Sequence, residues 1–108
     1  MYYRPQQLNE HSFDTFNNRY SGPVLAEFWA PWCSHCRSFE PAVRKVAEIL
    51  AGTAAVVQIN TQENPGLAGR FGVRGIPAFL LIKNGRVVDQ LSGAQSSEAV
   101  VAWFRRHR

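Results

Sequence analysis

Three short runs in this 108-residue chain constrain the fold most. They are Val24-Leu25-Ala26-Glu27-Phe28-Trp29-Ala30, Ala54-Ala55-Val56-Val57-Gln58-Ile59-Asn60 and Ala78-Phe79-Leu80-Leu81-Ile82-Lys83. All three read as strands. The first two are apolar almost without a break, the pattern of a strand covered on both faces. Between them, Phe39, Val43, Val46, Ala47 and Leu50 recur at helical spacing over 37–50, with Pro41 expected to bend that helix and Gly52 to stop it. Strand, helix and strand in this order imply parallel pairing through a right-handed crossover. Asn64-Pro65-Gly66 opens a short helix through Arg70-Phe71, ended at Gly72. Asn84-Gly85 is a tight-turn signal, so Arg86 to Leu91 returns as the hairpin partner of the third run. Ser12 is expected to cap a first helix ending near Arg19, with Phe13 and Phe16 as its apolar side and Gly22-Pro23 beyond it. Ser96 or Ser97 caps a last helix, with Val100, Val101 and Phe104 as its buried stripe and Trp103 at the margin. A short first strand is expected around Gln7-Leu8. The fold class is α/β, a central mixed β-sheet flanked by helices on both faces. With no internal repeat or linker, residues 1–108 are expected to form a single domain.

Composition narrows the functions. Hydrophobic residues make up 45% and charged residues 19%, the balance of a soluble globular chain that can bury a core without a metal or disulfide to hold it. Neither a secretory leader nor a run of transmembrane length is recognisable, so the expected location is cytoplasmic, away from the membrane. The net charge of +4 rests largely on arginines scattered along the chain, clustered only at Arg105, Arg106 and Arg108. Without a basic tract interleaved with aromatics, this charge reads as solubility and a mild preference for acidic partners; no nucleic-acid function is expected. No Gly-rich phosphate loop is present, and a monomer is expected.

Cys33 and Cys36 are the only cysteines, two residues apart, between a buried strand and a helix. That setting points to redox chemistry. Cys33 falls at the helix N-terminus, where unpaired N–H groups and the helix dipole favour a thiolate. Cys36 lies one turn in and is expected to be more shielded. Cys33 then reads as the attacking nucleophile and Cys36 as the resolving thiol that releases the mixed disulfide. Other readings remain. A zinc site wants four ligands, and only His11, His35 and His107 could join the two cysteines. A purely structural disulfide closing so small a loop constrains the unfolded chain little. Two inert thiols fit poorly beside Trp32 and the strand–helix junction.

Phe28-Trp29-Ala30-Pro31-Trp32-Cys33-x-x-Cys36, then Arg74-Gly75-Ile76-Pro77, then Lys83-Asn84-Gly85 and Gly93-Ala94, resemble the signature segments of the thioredoxin family, in order and at the expected spacing. The resemblance covers the chain from end to end. It implies a thioredoxin-like fold and a protein-disulfide reductase acting on disulfide-containing client proteins. The electron donor would be an NADPH-dependent thioredoxin reductase, and no cofactor or metal would be bound beyond the reversible Cys33–Cys36 disulfide. It further implies a cis Ile76-Pro77 bond beside the cysteines, with the backbone of Ile76 free to pair with an extended substrate segment. Trp32, Gly75, Ile76, Pro77, Gly93 and Ala94 would form a shallow apolar docking surface. Gly75 and Gly93 are equally explained by turn geometry, and Trp29 by packing beside the site.

Two positions depart from the family pattern. Glu27 is a lone carboxyl in a buried strand, which is costly unless paired or neutral, so its pKa should be raised. The family carries an aspartate here that relays the proton of the resolving cysteine, and a lysine nearby; this chain has a longer glutamate and, at the lysine position, Gln58, which cannot form that ion pair. Glu27 is therefore expected to hold its proton to higher pH. Ser34-His35 replaces the family's usual Gly-Pro. A histidine before the second cysteine resembles protein disulfide isomerases and a periplasmic disulfide oxidant. His35 is expected to stabilise the Cys33 thiolate and make the couple more oxidising. The alternatives to a reductase are thus a more oxidising isomerase or oxidase, and a non-catalytic binding module that uses the apolar surface.

Overall fold

The computed structural model describes residues 5–107. Arg4 and Arg108 of the basic set lie outside the described residues. Five strands form one sheet in the order β1-β3-β2-β4-β5: β1 (Gln6–Leu8), β2 (Val24–Trp29), β3 (Ala55–Asn60), β4 (Ala78–Lys83) and β5 (Arg86–Ser92). β1, β3 and β2 are parallel; β4 runs antiparallel to β2, and β5 antiparallel to β4. Four helices complete the chain: α1 (Phe13–Arg19), α2 (Ser34–Ile49), α3 (Pro65–Arg70) and α4 (Ser97–Arg105).

The apolar runs behave as expected because successive side chains of a strand point to opposite faces. Leu25, Val56, Phe79 and Leu81 meet Phe39, Val43 and Val46 of α2 and Val100 and Phe104 of α4. Their neighbours Ala26, Phe28, Val57, Ile59, Leu80 and Ile82 meet Phe13 of α1 and Leu67 of α3 on the other face. Fully burying each large side chain stabilises the fold by roughly 1.5–3 kcal/mol. Glu27 and Gln58 face each other across the β2–β3 ladder, and on the period-2 rule they lie on the α2 side with Leu25 and Val56. Phe79 is in register with Glu27 from β4.

α2 starts at Ser34, with Cys33 at its N-cap as expected, and runs on through Pro41. Two local expectations change. Ser12 does not cap α1: its backbone is already helical, and its hydroxyl makes no capping bond. Asn9 Oδ1 instead accepts from the N–H groups of His11 and Ser12, both at 2.9 Å. Trp103 is buried rather than marginal. Its indole N–H donates to Asp89 Oδ2 at 2.9 Å, and His107 Nε2 lies 2.7 Å from the same oxygen. These partners, Trp103 foremost, hold the Asp89 carboxyl below its usual pKa. The last helix is capped as expected, with Ser96 Oγ accepting from Ala99 N at 3.1 Å.

Since a lost cap costs about 1 kcal/mol, Asn9→Ala and Ser96→Ala should each lower stability by about that much in urea titrations, and Ser12→Ala by less.

Candidate active site

β2 ends at Trp29, and the chain turns through Pro31 into α2. Arg37 Nη1 donates to the Pro31 carbonyl at 2.8 Å, and Cys33 N to the Ala30 carbonyl at 3.1 Å. Both bonds fix the turn that carries Cys33 to the helix end. The two cysteines are joined to each other, with Cα atoms 5.2 Å apart. Cys33 Sγ accepts the N–H of Cys36 at 3.2 Å, so a backbone donor of the first turn already points at that sulfur. The same sulfur lies 3.9 Å from the Ile76 carbonyl oxygen. Cys33 and Cys36 are 6% and 3% exposed, so burial barely separates them; position at the helix end does. Among the described residues, no group of three or more His, Cys, Asp or Glu is placed to hold a metal ion.

The segment facing the cysteines is built from two loops. Ile76-Pro77 is a cis peptide. Pro77 is buried, Ile76 half-buried and Gly75 exposed. The Pro77 carbonyl accepts from Gly93 N at 2.8 Å, which ties this loop to the end of β5. Gly93 has φ +85°, a conformation that favours glycine. Gly75 has a negative φ and open space around it, so neither strain nor crowding demands glycine there. Trp32, at 67% exposure, and Ala94 lie open to solvent. Ile76 and Trp29 pack against Ala30, Cys33 and Cys36. A hollow of about 590 Å³ beside β1 and α1 includes none of these residues. His35 is exposed on the first turn of α2, and its carbonyl accepts from Ser38 Oγ at 3.1 Å.

Glu27 is fully buried. Desolvation pushes its pKa from 4.5 up to about 8; the hydrogen bond from Gln58 opposes that rise, and the Glu40 charge adds to it. Gln58 Nε2 donates to Glu27 Oε1 at 2.6 Å and to Glu40 Oε2 at 3.0 Å. Glu27 Oε2 has no hydrogen-bond partner among the described residues. The expectation of a buried, proton-holding Glu27 beside Gln58 is met. Sequence reasoning missed Glu40, although it lies four residues after Cys36, on the same side of a helix. Gln7 was missed as well; its Nε2 donates to Gln58 Oε1.

The raised pKa has a definite sign for stability. Between about pH 4.5 and about pH 8 the folded chain keeps the Glu27 proton and the unfolded chain has lost it. Stability from this group is therefore full below that window and declines as pH rises through it. Glu27→Gln has no proton to lose. Its stability relative to wild type should rise by about 3 kcal/mol between about pH 5 and pH 8 in urea titrations, and a constant difference would count against a buried neutral carboxyl.

With this geometry in view, residues 4–106 match the family model described as Thioredoxin. The chain is 40% identical over 85 residues to Thioredoxin 1 of Nostoc sp., with 79% of each chain covered. It is 39% identical over 84 residues to the thioredoxin of Chlorobaculum thiosulfatiphilum, with 78% of each covered. It is 37% identical over 103 residues to that of Pyropia yezoensis, with 94% of each covered.

Proposed function

This chain belongs to the thioredoxin family, and from that premise we propose a division of labour among its site residues. The protein is a thiol–disulfide oxidoreductase, a protein-disulfide reductase whose substrates are disulfide-containing client proteins. Cys33 is the attacking thiol and Cys36 the resolving one. The observation that carries this is the Cys36 N–H donated to Cys33 Sγ at the first turn of α2, because a helix-end donor stabilises a thiolate at that sulfur alone.

In the first step the Cys33 thiolate attacks a client disulfide, forming a Cys33–client bond and releasing one client thiolate. In the second, Glu27 acts in its ionised form, which gains population as pH rises toward about 8: Cys36 gives its proton to that carboxylate and its sulfur attacks Cys33 Sγ. The Cys33–Cys36 bond forms, the Cys33–client bond breaks, and the second client thiolate leaves. Two electrons pass from the dithiol to the client. Trp32, Gly75, Ile76, Pro77, Gly93 and Ala94 receive the client, with an extended segment pairing along the Ile76 backbone. The electron donor is an NADPH-dependent thioredoxin reductase and the compartment the cytoplasm. Residues 1–108 act as one domain. In the described part, no helix is long and apolar enough to cross a membrane.

A more oxidising couple is the second reading, favoured by His35, which directly precedes Cys36 on the turn that bears both cysteines. Equilibration in glutathione buffers decides between them. A potential near about −270 mV, the figure for thioredoxin, supports the reductase; one at or above about −200 mV supports the oxidant, and His35→Pro should then lower it. Insulin reduction should fall to background in Cys33→Ser. Cys36→Ser should accumulate the mixed disulfide, visible as a reducible shift in mass.

A further inference from the structure

Gln58 offers one amide NH₂ to two carboxyl groups. One N–H goes to Glu27 Oε1 and the other to Glu40 Oε2, so the nitrogen's donor capacity is spent. The amide oxygen is occupied by Gln7 Nε2. Glu27 lies in the covered middle of the sheet, whereas Glu40 is half-buried on α2, one turn beyond Cys36. Cys36, Glu40, Arg44 and Gln58 line a common surface hollow of about 320 Å³.

We propose that Glu40 is a positioning residue for the resolving step: through the shared Gln58 amide it orients the Glu27 carboxyl and couples the proton held there to a charge at the surface. The proposal rests on the reading of Glu27 as the acceptor of the Cys36 proton. With Oε1 engaged by Gln58, Oε2 is the oxygen left to carry that proton. Each neighbouring element presents a different group to this network. β4 presents apolar Phe79 in register with Glu27, β3 presents Gln58 and β1 Gln7. α2 presents Cys36, Glu40, Arg44 and Arg37 around the hollow. Arg44 Nε lies 3.6 Å from Glu40 Oε1 but is largely exposed, so water screens it more than it screens the buried side of the pair. When Glu27 ionises, two carboxylates share one amide. The Glu40 charge therefore opposes ionisation, and its removal frees one Gln58 N–H and lowers that opposition.

The test follows the Glu27 carboxyl carbon by NMR across pH in the oxidised protein, and the pH profile of the resolving step in single-turnover reduction of a client disulfide by the dithiol form. Glu40→Gln keeps the shape and removes the charge. It should lower the Glu27 midpoint by about half a pH unit or more, and move the Glu27-dependent limb of the rate profile the same way, with the melting temperature nearly unchanged. Glu48→Gln, which removes the same charge about two turns further along α2, should move neither. If Glu27→Gln leaves that limb in place, the reading of Glu27 fails and the proposal with it. If Glu27→Gln removes the limb while folded Glu40→Gln shifts neither midpoint nor limb, the proposal alone is overturned.

Discussion

Coverage of the sheet on both faces is the constraint from which the rest follows. Leu25 and Phe28 are both fully buried although they belong to opposite layers. A strand in that position has no wet side to which a polar residue can turn. Each polar group placed there must be neutral, hydrogen-bonded or both. Glu27 and Gln58 meet that demand together: the glutamate keeps its proton, and the amide supplies the donor. Desolvation keeps the carboxyl neutral, and a lysine at position 58 would draw the proton away.

The same architecture delivers the chemistry to one end of the sheet. β2 runs out at Trp29, and its continuation becomes the cap of α2. β4 begins at Ala78, directly after the cis Ile76-Pro77 bond. The antiparallel pairing of β2 and β4 places the exit of one beside the entry of the other, with Phe28 opposite Ala78. Cys33 therefore meets the Ile76 carbonyl across a contact 43 residues distant in sequence. Neither loop needs to be long, because the strand register has already brought them together.

Much of this was legible from the residues. The nearly unbroken apolar runs foretold the buried strands, the Asn84-Gly85 turn foretold the hairpin, and Cys33-x-x-Cys36 after a buried strand foretold the helix-capping thiol. The failures share a cause. Ser12 looked like a cap because the local pattern suited one, but its backbone is already helical, and Asn9 Oδ1 takes the N–H groups of His11 and Ser12 just ahead of the helix. Trp103 looked marginal on a helix read alone; Asp89, from a different strand, gives its indole N–H an acceptor and permits burial. Glu40 was invisible as a site residue because its importance arises from Gln58, a residue of β3 that sequence spacing cannot place beside it. In each case a side chain from elsewhere decided what the local pattern left open.

β5 closes the sheet on the side where no further strand follows, and leaves Val87 and Val88 exposed. An open strand edge of that kind is a template for self-association. Here the ladder skips at that point: Leu81 pairs with Asp89 and Ile82 with Val87, so Val88 is the extra residue of a bulge. A bulge twists the edge and interrupts its regular row of donors and acceptors. The irregularity at Val88 makes this edge a poorer template for a further strand, although its valines lie open to solvent.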